Sequence, residues 1–238
     1  MPFTFSHPAI VLPFLKIRRT WVSMSGLIIG SMTPDFEYLI KMKLSGRYAH
    51  SLEGMFLFDL PVACVIAFVF HFLVKEPLIN NLPNYFYKRL IPLKDFDFLT
   101  YVRSHFLGFA CCLLIGIGSH ILWDGFTHAN EFEKNIPLLN LSVPIGSVKL
   151  PLFRVLQHVS TAVGAAFIFL IFHRQPVQPG KNSPSYIFWI IVLVLASVAF
   201  TIRASYTFEY LGDIVCTIMS SGIIGLITAS FFSRMGWV

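Results

Sequence analysis

Residues 105–128 read HFLGFACCLLIGIGSHILWDGFTH. The run from Phe106 to Ile117 carries no charge, and residues 105–123 together are long enough to cross a hydrocarbon layer, which takes about 20 residues. The end of the run changes character. His120, Asp124 and His128 follow one another at i, i+4 and i+8, and four helical residues advance about 400°, so the three side chains form one stripe. Imidazole and carboxylate are common ligands of zinc and similar divalent ions. Ionisable groups on an otherwise oily helix are costly and point first to function. The plainer alternative is a wetted helix end with unrelated polar residues.

Composition sets the frame for this stretch. The chain has 238 residues, of which 55% are hydrophobic, 16% aromatic and 13% charged. A soluble domain carries roughly 25% charged residues. The chain lacks the charge to cover a soluble surface, so it reads as an all-α integral membrane protein. The net charge of +6 places Lys and Arg at span ends, against lipid headgroups. Basic residues do not cluster on a polar face, so no nucleic-acid partner is expected. The bilayer itself is the expected partner. Cys64, Cys111, Cys112 and Cys216 all lie in apolar runs without a CxxC pair, which favours packing roles over disulfides or thiolate zinc. The first residues do not read as a signal peptide. Prolines at 2, 8 and 13 interrupt them, and Lys16, Arg18 and Arg19 follow the apolar part instead of preceding it.

Outward from the central run, four further apolar stretches stand at 55–74, 153–172, 186–202 and 214–232. About five transmembrane helices are therefore expected. Residues 1–19 read as an extended lead-in and a short helix limited by Pro8 and Pro13. Residues 20–33 are too short to span and suit a buried or interfacial helix. Pro34 fits a first helical turn, where the carboxylates Asp35 and Glu37 favour the helix dipole. That role accounts for Asp35 as well as a ligand role does. Residues 84–90 suit a helix lying on headgroups, and His71 reads as interfacial. The loop at 125–154 contains Asn130, Glu131 and Glu133, with short strands at 138–143 and 147–150. By domain, residues 1–175 bear the candidate metal site, and residues 176–238 form two anchor helices packed with them as one unit.

Sidedness gathers the candidate ligands. Successive spans reverse direction, so His7, Asp35, His50, His120, Asp124, His128 and His158 are all expected at one membrane face. His71, His105 and His173 fall at the other. Lys and Arg are nearly balanced across the two faces, which leaves orientation open.

The series FSHP (5–8), MTPDFEYL (32–39), AHSLEG (49–54), FLFDLP (56–61), SHILWDGFTH (119–128) and LQHVS (156–160) resembles a bacterial membrane-protein family of unknown function. That family is distantly similar to inner-membrane metal-dependent hydrolases and to the zinc-dependent phospholipase C and single-strand nuclease superfamily. The resemblance implies that His7, Asp35, His50, His120 and Asp124 are metal ligands in that order, with His128 and His158 as further ligands. The superfamily's final His-x3-Glu is absent, because position 162 is alanine. Its soluble members use a free amino terminus exposed by processing, and no processing site is evident in this chain. One or two zinc ions are therefore expected rather than three.

The expected activity is metal-dependent hydrolysis of a phosphoester or related ester, with a lipid or other amphiphile as substrate, in a bacterial inner membrane. Asp35 would orient or deprotonate the water, with Glu37 in reserve, and Asp124 would bridge two ions. The alternatives are a non-catalytic membrane protein with a structural metal site or polar network, and a transporter. A transporter needs mid-span ionisable groups, for which Asp59 is the sole candidate.

Overall fold

A computed structural model describes residues 3–17, 19–46, 48–128 and 134–237. Asn130, Glu131 and Glu133 lie outside the described residues. Helices are numbered α1 (Met24–Gly30), α2 (Phe36–Lys41), α3 (Leu52–Asn81), α4 (Asn84–Leu90), α5 (Phe98–Ser104), α6 (Phe106–Thr127), α7 (Leu152–His173), α8 (Tyr186–Ala204) and α9 (Leu211–Arg234). Among the described residues five of these, α3, α6, α7, α8 and α9, are long and apolar enough to cross a membrane. Two 3-10 segments, Thr4–Ile10 and Leu12–Lys16, precede α1. A small hairpin of β1 (Ser142–Ile145) and β2 (Val148–Pro151) joins α6 to α7.

The first membrane-length helix, α3, is longer than its apolar run. Ser51 caps it by accepting from the Gly54 N–H at 2.9 Å, so it starts before residue 55. It then passes two prolines by widening. A proline lacks an N–H and its ring crowds the carbonyl four residues back. For Pro61 and Pro77 those carbonyls belong to Leu57 and Leu73, and both lie in π turns, Met55–Asp59 and Phe70–Val74. Arg234 Nε donates to the Leu73 carbonyl at 3.2 Å. The extension carries His71 inside the helix. It is buried and stacks on Phe98 with centroids 4.2 Å apart.

The strands sit later than the sequence pattern placed them. Pro137 opens a 3-10 turn at Pro137–Asn140, which excludes residues 138–140 from a strand. Ile145 pairs with Val148, leaving Gly146 and Ser147 as a two-residue turn. Gly146 has φ +59°, the positive value such turns require.

The chain forms two compact units. The first comprises Met1–Asp35, Tyr48–Ala63 and Ser104–Arg174. Its spine is α6. The short helix α1 lies directly on α6 through glycines: a Cβ on Gly30 would strike the Leu113 carbonyl, and one on Gly116 would strike the Leu27 carbonyl. Val11, Leu27 and Cys112 form the apolar cluster beside this seam. On α7, Gly164 admits the Thr4–Ile10 segment, with Ser6 O 3.0 Å from where a Cβ would stand.

The second unit comprises Phe36–Arg47, Cys64–Arg103 and Gln175–Val238. There α8 and α9 pack through Phe188, Val192 and Ala229. Asp213 caps α9 and also accepts from the Leu44 N–H at 2.7 Å. Ser220 Oγ donates to the Leu39 carbonyl at 2.6 Å, tying α2 to α9.

The glycine seam gives a direct test. Gly116→Val is expected to destabilise the protein by about 1–3 kcal/mol, the usual cost of overpacking. Gly118→Ala, whose added Cβ meets only Met55 Cε at 3.9 Å, should be neutral or stabilising. Unfolding of the detergent-solubilised variants measures both.

Candidate metal centre

The centre is built from four stretches of the first unit. The stripe on α6 supplies His120 and Asp124, and His128 stands just beyond the last turn as its C-cap. Asp35 ends the 3-10 turn Thr33–Asp35, which Thr33 Oγ1 ties back to the Ile29 carbonyl at 2.7 Å. His50 lies immediately before the Ser51 cap of α3. His7 comes from the Thr4–Ile10 segment, beside Pro8.

Asp35, His50, His120 and Asp124 each offer one ligand atom, and these atoms all lie within 4.8 Å of one another. The group could hold a metal ion. His50 Nε2 is 3.3 Å from Asp124 Oδ2 and 4.0 Å from Asp35 Oδ1. His120 Nε2 is 3.4 Å from Asp124 Oδ2 and 3.6 Å from Asp35 Oδ1. Charge-assisted N–H···O bonds run about 2.7–2.9 Å, so these gaps are long for a shared proton. Two ligands at about 2.0–2.1 Å from a tetrahedral zinc stand roughly 3.3–3.4 Å apart, which is close to the shorter gaps.

Tautomers point the same way. His120 Nδ1 lies 2.8 Å from the Ser31 carbonyl, which can only accept, so Nδ1 carries the proton. In the neutral ring Nε2 then presents its lone pair to the two carboxylates. His120 Nε2 and Asp35 Oδ1 are both buried without a hydrogen-bond partner. Lone pairs converging in a buried site repel one another unless a cation lies among them. Asp35 Oδ2, by contrast, accepts from Thr4 Oγ1 at 2.6 Å. Burial raises the Asp35 pKa above the usual carboxylate range.

The second oxygen of Asp124 faces a different set. His7 Nε2 is 3.5 Å and His128 Nδ1 is 3.3 Å from Oδ1. The His7 ring stacks on His120, with centroids 3.7 Å apart. Burial, and next the neighbouring His120, hold the His7 pKa well below its ordinary value, so His7 is neutral at pH 7. Gln157 Nε2 stands 3.3 Å from His128 Nε2. The centre is graded in exposure: the His120 and His7 side chains are 0% and 1% exposed, those of His50 and His128 17% and 26%.

Six of the eight residues singled out in the sequence thus come together, with His7, Asp35, His50, His120 and His128 around the carboxylate of Asp124. Two do not join them. Glu37 is buried in the second unit, where Lys41 Nζ reaches its Oε1 at 2.7 Å. His158 is exposed on α7, and the group of four is complete without it. The sequence reading passed over Thr4 and the Ser31 carbonyl, which orient Asp35 and His120. A threonine three residues before His7 was visible; a backbone carbonyl carries no residue-type signal.

Fold and centre together define a helical chain with five membrane-length helices and a buried His/Asp group able to take a cation. A family model described as a domain of unknown function (DUF4184) matches residues 1–231, and the chain belongs to that family. No curated protein and no solved structure matches the chain.

Removing the bond that orients Asp35 tests the centre without touching a ligand. Thr4→Val, close in volume, is expected to weaken divalent-metal affinity about 10–100-fold while leaving the fold intact. Competition titration with a chromogenic chelator reads the affinity, and circular dichroism the fold.

Proposed function

We propose that the chain is an integral membrane protein, seated in a bacterial inner membrane, that hydrolyses a phosphoester or related ester of a lipid or similar amphiphile. The observation that carries this reading is the division of partners on Asp124. Its Oδ2 faces His50 and His120, with Asp35 beside them, and its Oδ1 faces His7 and His128. Asp124 with Asp35, His50 and His120 would hold one ion, and Asp124 with His7 and His128 would hold a second. The nitrogen and oxygen donors favour zinc. The set of His7, His128 and Asp124 offers only three protein atoms, and a catalytic site keeps such a free position. For His128 to present a lone pair at Nδ1, Gln157 must turn its amide oxygen to Nε2.

Bound metal at such a centre supplies Lewis acidity and lowers the pKa of a coordinated water to about 7. The chain's own groups do the rest. Thr4 holds Asp35 Oδ2, so Oδ1 stays aimed into the centre. Where Oδ1 is not itself bound to metal, it would orient or deprotonate the attacking water. Ser31 fixes the His120 ring through Nδ1. His50 and His128, the more exposed members, mark the side from which water and substrate arrive.

A second reading rests on the group of four itself. Asp35, His50, His120 and Asp124 make a full tetrahedral set, the arrangement of a structural site in a non-catalytic protein.

Metal analysis of purified protein separates the readings. Wild type should carry about two ions, and His7→Ala and His120→Ala about one each, because each substitution strips a different side of Asp124. Hydrolysis of phospholipid vesicles should disappear with His7→Ala. One ion in wild type, unchanged by His7→Ala, selects the structural site. Equal, near-zero metal in wild type and His120→Ala removes both.

A further inference from the structure

The residues before α2 do more than deliver His7. Their neighbours along α6 can be read in order. His7 stacks on His120. Val11 packs with Cys112. The Trp21 carbonyl lies against Gly108, and the Ser23 N–H donates to Cys112 Sγ at 3.2 Å. Gly26 then meets Cys112 and Phe109, Gly30 meets Leu113, and the Ser31 carbonyl returns to His120. The chain therefore runs down α6 from His120 to Gly108 and back again. On the helical rise that is a descent of about 18 Å, from about 10 Å inside the Thr127 end almost to the Phe106 end.

Three features suit this stretch to the inside of a bilayer. Its outward side chains are oily: Phe3, Phe5, Phe14, Leu15 and Ile17 are all exposed. Its backbone is satisfied locally, by bonds such as Val11 N–H to Pro8 O at 3.1 Å and Phe14 N–H to Val11 O at 3.0 Å. Pro8 and Pro13 have no N–H to satisfy. Irregular backbone is tolerated at membrane depth where it is buried against protein, and this stretch packs on α6 at His7, Val11, Trp21 and Gly30. The turning point differs: Lys16, Arg19 and Trp21 are exposed there, a cationic and aromatic set of the kind that seats at headgroups.

We propose that residues 3–17 and 19–31 form the two arms of a re-entrant hairpin that enters the bilayer from the face bearing the His/Asp centre, and that Lys16, Arg19 and Trp21 seat in the phosphate headgroups of the opposite leaflet. This rests on the membrane reading of the chain and not on its being a hydrolase. The hairpin is the wall against which the centre is assembled, and His120, its deepest ligand on α6, lies about two helical turns below the end of that helix.

Single added cysteines read the topology. Arg19→Cys and Lys16→Cys probe the tip; Lys149→Cys, exposed on β2 between α6 and α7, marks the face of the centre. Each is treated with a membrane-impermeant maleimide in intact cells and in inverted vesicles, and the parent, with its four native cysteines, serves as blank. Both tip variants should label only from the face at which Lys149→Cys does not. Labelling of either from the Lys149 face overturns the hairpin, and so does labelling of both from neither face, since the tip would then lie short of the headgroups. Release of the parent from membranes by alkaline washing would instead remove the membrane reading itself.

Discussion

Two carboxylates that face each other out of water set the terms for the first unit. The ligand atoms of Asp35 and Asp124 are within 4.8 Å, and both residues are buried. At an effective dielectric of about 20, two negative charges at that separation repel by about 3 kcal/mol, before any cost of leaving water. The surrounding imidazoles do not relieve this by short hydrogen bonds, since their nitrogens stand 3.3–4.0 Å away. A cation among them would relieve it, through its attraction for both charges.

Much of this was legible in residue order. Uninterrupted apolar runs announce the long helices, and the four-residue spacing of His120 and Asp124 announces a shared helix face. The arrival of His7 and Asp35 was not, because it depends on how closely α1 and the first 3-10 segment approach α6 and α7. Gly30, Gly116 and Gly164 permit that approach without specifying it. The exclusion of His158 was partly legible. Gln157, Ser160, Thr161 and Gly164 recur at helical spacing and are the residues that touch His128, Trp123 and the 3-10 segment. His158 stands about 100° away from Gln157 around α7. Glu37 likewise has Lys41 four residues later, a spacing that favours an ion pair on its own helix.

The longest helix shows the same economy in its backbone. Two prolines within an apolar helix would ordinarily leave crowded and unpaired carbonyls. Widened turns ahead of Pro61 and Pro77 absorb the crowding, and at the second of them the guanidinium of Arg234 occupies the Leu73 carbonyl. Sequence reading stops such a helix too early because it sees the proline and not the distant donor.

Ser31 follows directly on the glycine seam, and its carbonyl holds the protonated nitrogen of His120. Helix packing and ligand chemistry are therefore geared together. A slip of α1 by one residue would withdraw that carbonyl and free the imidazole to exchange its proton between nitrogens. The short helix works as a ruler laid along α6, and the smallest side chains in the unit let it lie close enough to be read.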